Sequence, residues 1–481
     1  MEENIFKLAE KVVVRIECEN IQQDINIPFD QKTFGNSFGS GFFISSEYIL
    51  TNHHVIQKAR KIYINIPDIG KQTFLATIIS YSISNDYAIL KIHDYVNKNE
   101  LFKLGDSNKL KEAEKLYVIG FPLGNINPNL KIVSGMMTGW ERNKIQHDTN
   151  TNPGMSGGVI LNSSNEIVGI HIGVITGKNW TNTAYAIPIN VVNIPKRLNV
   201  IKKSSKYPIV IKEPVFGFKT QVSHLELIKS ITSNSKYIKP QIGVVISSVY
   251  SNFKTLMESG DILFKICDHT VDNFKDIKYN KNPNNNIIYD YLTHYYDIDD
   301  EYTIYFYSNK RKKIIKEKHR FKDELTYVPN KIRTIDLLTE KLDYENIGGI
   351  IVVELTTQHI KHFISSERVD LIYKFIKYKE KSVLEDKDKL LIVTYVTPTT
   401  PLYKNNIIVS GSIIKKINNK PVKTLDEYRK ALLNGKDTIT VHLDNNKIEV
   451  INFKFIKKYE QELSKQYNFP ISNLYSKLKI K

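Results

Sequence analysis

Between Lys11 and Ile187 the chain is cut into short apolar runs, and this spacing constrains the fold more than any other feature. Lys11–Glu19 (KVVVRIECE) alternates and is rich in β-branched residues, which predicts a strand. Gly35–Ile44 is a glycine-rich run entering an apolar strand; Tyr48–Leu50, Tyr63–Ile66, Phe74–Ser80 and Tyr87–Ile92 come next. Tyr117–Phe121, Lys131–Met137, Val159–Leu161, Ile167–Ile172 and Ala184–Ile187 complete the series. Short strands at intervals of roughly 8–15 residues, with few helical patterns between them, predict a pair of all-β barrels.

On that scaffold the stretch Thr151-Asn152-Pro153-Gly154-Met155-Ser156-Gly157-Gly158 has the composition a serine nucleophile needs. Glycines allow a sharp turn that aims the N–H groups of Gly154 and Ser156 at one point, where they can hold a tetrahedral oxyanion. Such turns are common, so the chemistry needs a base and a group to orient it. His54, at the end of the run Tyr48–Leu50, is the candidate base. Asp86, just ahead of the apolar run Tyr87–Ile92, is the candidate orienter. The order His, Asp, Ser is that of chymotrypsin rather than of subtilisin or the α/β-hydrolases.

Residues 38–188 resemble the HtrA/Deg family of serine proteases. The matching pieces are Gly39-Ser40-Gly41-Phe42, Tyr48–Val55, Asn85–Lys91, Leu104–Ser107, Ile119–Pro122, Val133–Gly135, Asn152–Gly158 and Ala186–Pro188. The resemblance implies His54 as general base, Asp86 as its partner, Ser156 as nucleophile, and the Gly154 and Ser156 amides as oxyanion hole. It implies a homo-oligomer built of trimers, acting on unfolded or damaged polypeptides without ATP. Two places depart from the family pattern. Gly139–Asp148 is short where many relatives carry a longer sensor loop, which puts in doubt regulation through that loop. Gly169-Ile170-His171-Ile172-Gly173 looks like the Gly-Ile-His-x-Gly of glutamyl endopeptidases and some viral proteases, whose histidine lines the substrate pocket. That likeness implies cleavage after Glu or Gln, set by His171.

Beyond Asn199 the pattern changes. Residues 201–212 are basic with Ser and Pro, and predict a linker after a protease domain over 1–200. Phe216-Gly217-Phe218 ahead of a strand, with Gly260-Asp261-Ile262-Leu263 later, resembles a PDZ domain over 213–328. Its Phe216–Phe218 amides are expected to receive a peptide carboxylate. A helix over Ile287–Leu292 and a strand over Tyr302–Tyr307 are expected to finish it. The densest basic run, Lys310–Arg320, fits a solvated hairpin better than a nucleic-acid patch. Residues 329–481 look like a second, degenerate PDZ domain of plant-type Deg proteases with a C-terminal extension. The expected architecture is therefore mainly β: a chymotrypsin-like double barrel followed by two PDZ-like α+β domains.

At 481 residues the chain is too long for one core. No window approaches a membrane span, and no P-loop or metal-ligand spacing occurs, so neither cofactor nor metal is expected. The net charge of +17 accompanies Lys, Asn, Ile and Tyr throughout and reads as compositional drift, with nucleic acid not expected as a partner. Two distant cysteines and no apolar leader predict a cytoplasmic or nuclear protein, with a viral particle also open. Two other readings stay open: a site-specific processing protease working through His171, and a non-catalytic holdase or PDZ scaffold.

Overall fold

The computed structural model describes all residues except 1, 123–128, 142, 175–182, 234–239, 279–285, 328–331, 367, 381–388 and 479–481. Arg142, in the short loop Gly139–Asp148, therefore lies outside the described residues.

The chain starts with helix α1 (Glu2–Val12), where a strand was expected from Lys11. Ile5, Ala9 and Val12 recur at helical spacing and are buried in one core with Val13, so the helix continues until its apolar face is used up. Strands β1 (Val13–Gln23), β2 (Gln31–Phe43), β3 (Tyr48–Thr51), β4 (Ala59–Asn65), β5 (Thr73–Ser82) and β6 (Tyr87–Ile92) come after it, with helix α2 (His53–Ile56) between β3 and β4. They run in the order β5-β4-β1-β2-β3-β6, and the pairing of β5 with β6 closes a six-stranded antiparallel barrel.

A second closed barrel is built from β7 (Lys115–Gly120), β8 (Lys131–Glu141), β9 (Lys144–His147), β10 (Val159–Leu161), β11 (Ile167–Val174) and β12 (Ala184–Pro188). Its order is β10-β11-β12-β9-β8-β7, and closure removes the exposed edges an open sheet would leave. The expected double barrel is present. Helices α3 (Ile189–Val192) and α4 (Ile194–Lys203) leave it, α4 covering the start of the expected linker. Farther on, β13 (Ile209–Val210) lies parallel to β5 with Ile209 opposite Ser80, so part of the linker is stitched onto the first barrel.

The same compact unit continues to Tyr327. Its third sheet orders the strands Phe218–Gln221, Val244–Val249, Ile262–Ile266, Glu301–Ser308 and Lys313–Arg320. The last two form the hairpin expected of the basic run, with Lys318 and Arg320 both bridging to Glu301 and Lys310 to Glu258. The helix expected over Ile287–Leu292 is displaced. Asn286–Ile288 pairs as a strand with Asp276–Lys278, and a 3-10 helix runs from Tyr289 to Tyr295. The two β-branched isoleucines favour the extended pairing.

A second unit comprises Ile21–Phe34 together with Val328–Lys481. Its sheet orders Tyr344–Ile347, Ile350–Glu354, Leu391–Val396, Ile413–Ile417, Thr438–Leu443 and Ile448–Asn452. The helix Leu425–Leu433 starts on a capping box of Thr424 and Glu427. The participation of residues 21–34 was not expected from sequence. Within this unit Thr394 Oγ1 donates to the Asn26 carbonyl at 2.7 Å, and the Phe29 ring lies 5.7 Å from Phe469.

Candidate active site

The first barrel supplies the candidate acid–base pair. Strand β3 ends at Thr51 and delivers His54 into the short helix α2, and the turn between β5 and β6 carries Asp86. Asp86 has φ 54°, a left-handed conformation that Asp tolerates better than most residues. One carboxylate oxygen accepts the His54 backbone N–H at 2.9 Å and the other meets His54 Nδ1 at 2.7 Å. The Asp86 carbonyl accepts from the Asn52 side chain at 3.0 Å and from the His53 N–H at 3.1 Å. These contacts hold the imidazole with Nδ1–H toward the carboxylate, which leaves Nε2 a lone pair. His54 keeps 37% of its side chain exposed, so that lone pair can reach a substrate.

The second barrel supplies the candidate nucleophile turn ahead of β10. The Met155 N–H donates to the Asn152 carbonyl at 3.2 Å, with Pro153 and Gly154 between them and Gly154 at φ 98°. That is a type II turn with its preferred residues in place. The next turn closes from the Gly158 N–H to the Met155 carbonyl at 3.0 Å and needs Gly157 at φ 86°. A Cβ on Gly157 would sit 2.1 Å from the Ser40 carbonyl oxygen, so no other residue fits. The Gly154 and Ser156 N–H groups take no acceptor among the described residues, leaving both donors for a ligand oxygen.

Ser40 fastens this turn to the first barrel. Its N–H donates to the Ser156 carbonyl and its hydroxyl to the Gly154 carbonyl, both at 2.8 Å, while the Phe121 N–H donates to Ser40 Oγ at 2.9 Å. Sequence reasoning missed this role, although the motif Gly39-Ser40-Gly41 carried the signal. The Ser156 hydroxyl donates to the Ile172 carbonyl at 2.7 Å, so in this state it is turned toward β11.

His171 lies on β11 behind the same turn. Its carbonyl accepts the Gly157 N–H at 2.8 Å and its N–H donates to the Gly158 carbonyl at 2.9 Å. Its ring is buried 5.4 Å from that of His147, and neither of its ring nitrogens has a hydrogen-bond partner among the described residues. Burial, then His147 and His54, push its pKa down to about 3; burial pushes that of His147 down to about 4. Both rings are therefore neutral near pH 7. His147 was not anticipated, because only the fold brings it beside His171.

Phe216 and Phe218 are buried and stacked at 5.5 Å, and a Cβ on Gly217 would strike the Phe253 ring at 2.2 Å. With Thr220 and Tyr289 the two phenylalanines line a cavity of about 330 Å³. Among the described residues no cluster of side chains has the makings of a metal site.

Residues 39–170 match the trypsin-like peptidase domain family. The chain is 31% identical over 269 residues to a probable periplasmic serine endoprotease DegP-like from Pseudomonas putida (strain GB-1), covering 51% of this chain and 53% of that protein. It is 28% identical over 317 residues to the serine protease Do-like HtrA of Lactococcus lactis subsp. cremoris (strain MG1363), covering 57% and 74%. Over these stretches the chain is similar to serine proteases of the HtrA/Deg family. Among solved structures, the HtrA-type protease AlgW with tripeptide superposes with a TM-score of 0.50 at 18% identity, over 67% of this chain and 96% of that one. That similarity speaks to the fold. The chain spans about half the length of the first curated HtrA/Deg relatives it matches.

These relatives correct the cytoplasmic or nuclear location expected from sequence, since several are named periplasmic endoproteases. The cysteine count was a weak guide for a physical reason. Cys18 is buried and its thiol is pushed up to about 12 by burial, so it carries little thiolate and resists oxidation in any compartment. No helix among the described residues is long and apolar enough to cross a membrane.

Proposed function

We propose that this chain is an ATP-independent serine endopeptidase acting on unfolded or extended polypeptides. The observation that carries the reading is the two-point grip of Asp86 on His54, with a serine turn whose two amides take no acceptor among the described residues. In this mechanism Ser156 rotates from the Ile172 carbonyl to His54 Nε2, gives up its proton and attacks the scissile carbonyl. The Gly154 and Ser156 N–H groups hold the oxyanion, and His54 passes the proton to the leaving amine. A water deprotonated by His54 then hydrolyses the acyl-enzyme. The two sheets after the barrels act as PDZ-like modules over 213–328 and 329–481, the first receiving a peptide carboxylate near Phe216–Phe218. The working form is a homo-oligomer.

His171 sets a preference for Gln or Glu before the cut bond. Two ring nitrogens without a partner among the described residues, on a buried, neutral imidazole, favour this. Such a ring can donate one hydrogen bond and accept another, which matches the carboxamide of Gln better than a carboxylate. Incubation with unfolded casein and mass-spectrometric mapping of new termini tests both statements. Cuts by the parent and none by Ser156→Ala support the peptidase. Loss of the Gln/Glu bias in His171→Val supports the pocket, whereas an unchanged cut pattern overturns it.

A further inference from the structure

Asp86 sits at the end of the turn Ile83–Asp86, and that turn closes weakly on itself. The Asp86 N–H reaches the Ile83 carbonyl at 3.3 Å and the Asn85 N–H reaches Ser82 Oγ at 3.3 Å, both at the long end for such bonds. Asp86 also holds φ 54°, which costs energy unless the surroundings enforce it. Asn52, His53 and His54 hold Asp86 itself from within the first barrel, whereas the flanking Ser84 and Asn85 are met from outside the two barrels. Asn85 Oδ1 accepts from His294 Nδ1–H at the end of the 3-10 helix Tyr289–Tyr295. Glu213 stands 3.7 Å from His294 Nε2 and hydrogen-bonds Ser84. Ile83 and Ser84 face Lys212, Glu213 and Glu324 across a cavity of about 410 Å³.

These outside groups are themselves anchored. Tyr289 and Leu292 of the 3-10 helix are buried. Just after it, Asp297 binds Arg197 at 2.5 Å and Lys196 at 2.6 Å, with the Arg197 side chain only 8% exposed. The strand β13 pairs with the end of β5, where the Ile211 N–H donates to the Tyr81 carbonyl at 2.8 Å. Burial, then Lys144, push the His294 pKa down to about 4, which keeps its ring a neutral donor.

We infer that His294 and Glu213 are positioning residues for the triad carboxylate, so that the segment around Glu213 and the 3-10 helix Tyr289–Tyr295 form part of the working active site rather than of an appended module. The inference rests on the serine endopeptidase reading. It differs from a purely structural role in one respect: loosening the turn should slow the chemical step while leaving substrate binding alone.

The test uses the full chain and two readouts, the rate at which a fluorophosphonate labels Ser156, and kcat and KM for casein cleavage. His294→Ala is expected to label about tenfold more slowly, with a matching fall in kcat and an unchanged KM. His294→Asn, whose amide can donate from nearly the same position as Nδ1, should restore most of the rate. Asn85→Ala, which removes the same bond from the barrel side, should match His294→Ala, and the double variant should be no slower than either single one. Parent-like labelling in His294→Ala and Asn85→Ala overturns the inference. So does a rate loss that His294→Asn fails to rescue or that adds in the double variant. A parent that labels no better than Ser156→Ala overturns the peptidase reading itself, and this inference with it.

Discussion

In the first barrel the imidazole of His54 is held at two points by Asp86, whose own carbonyl is held by Asn52 and His53. In the second barrel the turn around Ser156 is also held by backbone hydrogen bonds, but the groups proposed to react are not held for reaction. The hydroxyl rests on the Ile172 carbonyl, two amides await an oxygen, and the His171 ring nitrogens have no partner among the described residues. The contrast teaches where the energy of preorganisation lies. On the proposed mechanism, the proton-handling half is complete before substrate arrives, whereas the half proposed to touch substrate keeps polar groups unspent for it.

Three changes probe that contrast. Asp86→Asn should have the largest effect, because an amide can present N–H to Nδ1 and select the wrong tautomer. A loss of about 10⁴ in kcat with the fold retained is expected, measured by steady-state kinetics alongside circular dichroism. A loss below tenfold would mean that the first barrel is not the preorganised half. Ser40→Ala is expected to come next. It removes the hydroxyl shared by the Gly154 carbonyl and the Phe121 N–H, and should lower stability by about 1–3 kcal/mol in urea unfolding, with a smaller fall in activity than Asp86→Asn.

The effect expected to touch activity least is on the pH dependence of stability. His147 and His171 are lowered from 6.5 to about 4 and about 3. The unfolded chain therefore binds protons that the folded protein refuses, and stability present above pH 6.5 is lost as the pH falls toward 4 and 3. Each histidine contributes a slope of up to about 1.4 kcal/mol per pH unit in that window. His171→Val should flatten the slope by roughly one proton in urea unfolding between pH 6.5 and 4. An unchanged slope would show that the pocket is open to water and not waiting for a partner.

The triad candidates could be read from the chain because each sits at the border between an apolar run and a turn, where local spacing is informative. Asp86 precedes β6, His54 follows β3, and the glycines around Ser156 leave few alternatives for the backbone. The barrels were legible for the same reason, since alternation and turn residues are local signals. Helix α1 was not anticipated, because its apolar residues merge into the strand that comes after it. The strand Asn286–Ile288 was misread because Ile287 and Ile288 suit either a strand or a helix until pairing decides.

By itself, then, the sequence determined the kind of scaffold and named the candidate side chains for acyl transfer, because both depend on short-range patterns. Tertiary structure alone decided that Ser40 ties the nucleophile turn to the other barrel, that His147 lies beside His171, and that His294 reaches the neighbour of Asp86. Residues 21–34 joining Val328–Lys481 belong with these. Each is a contact between residues far apart in the chain. Such contacts are selected by packing and burial across the whole fold, and leave no periodic trace near either partner.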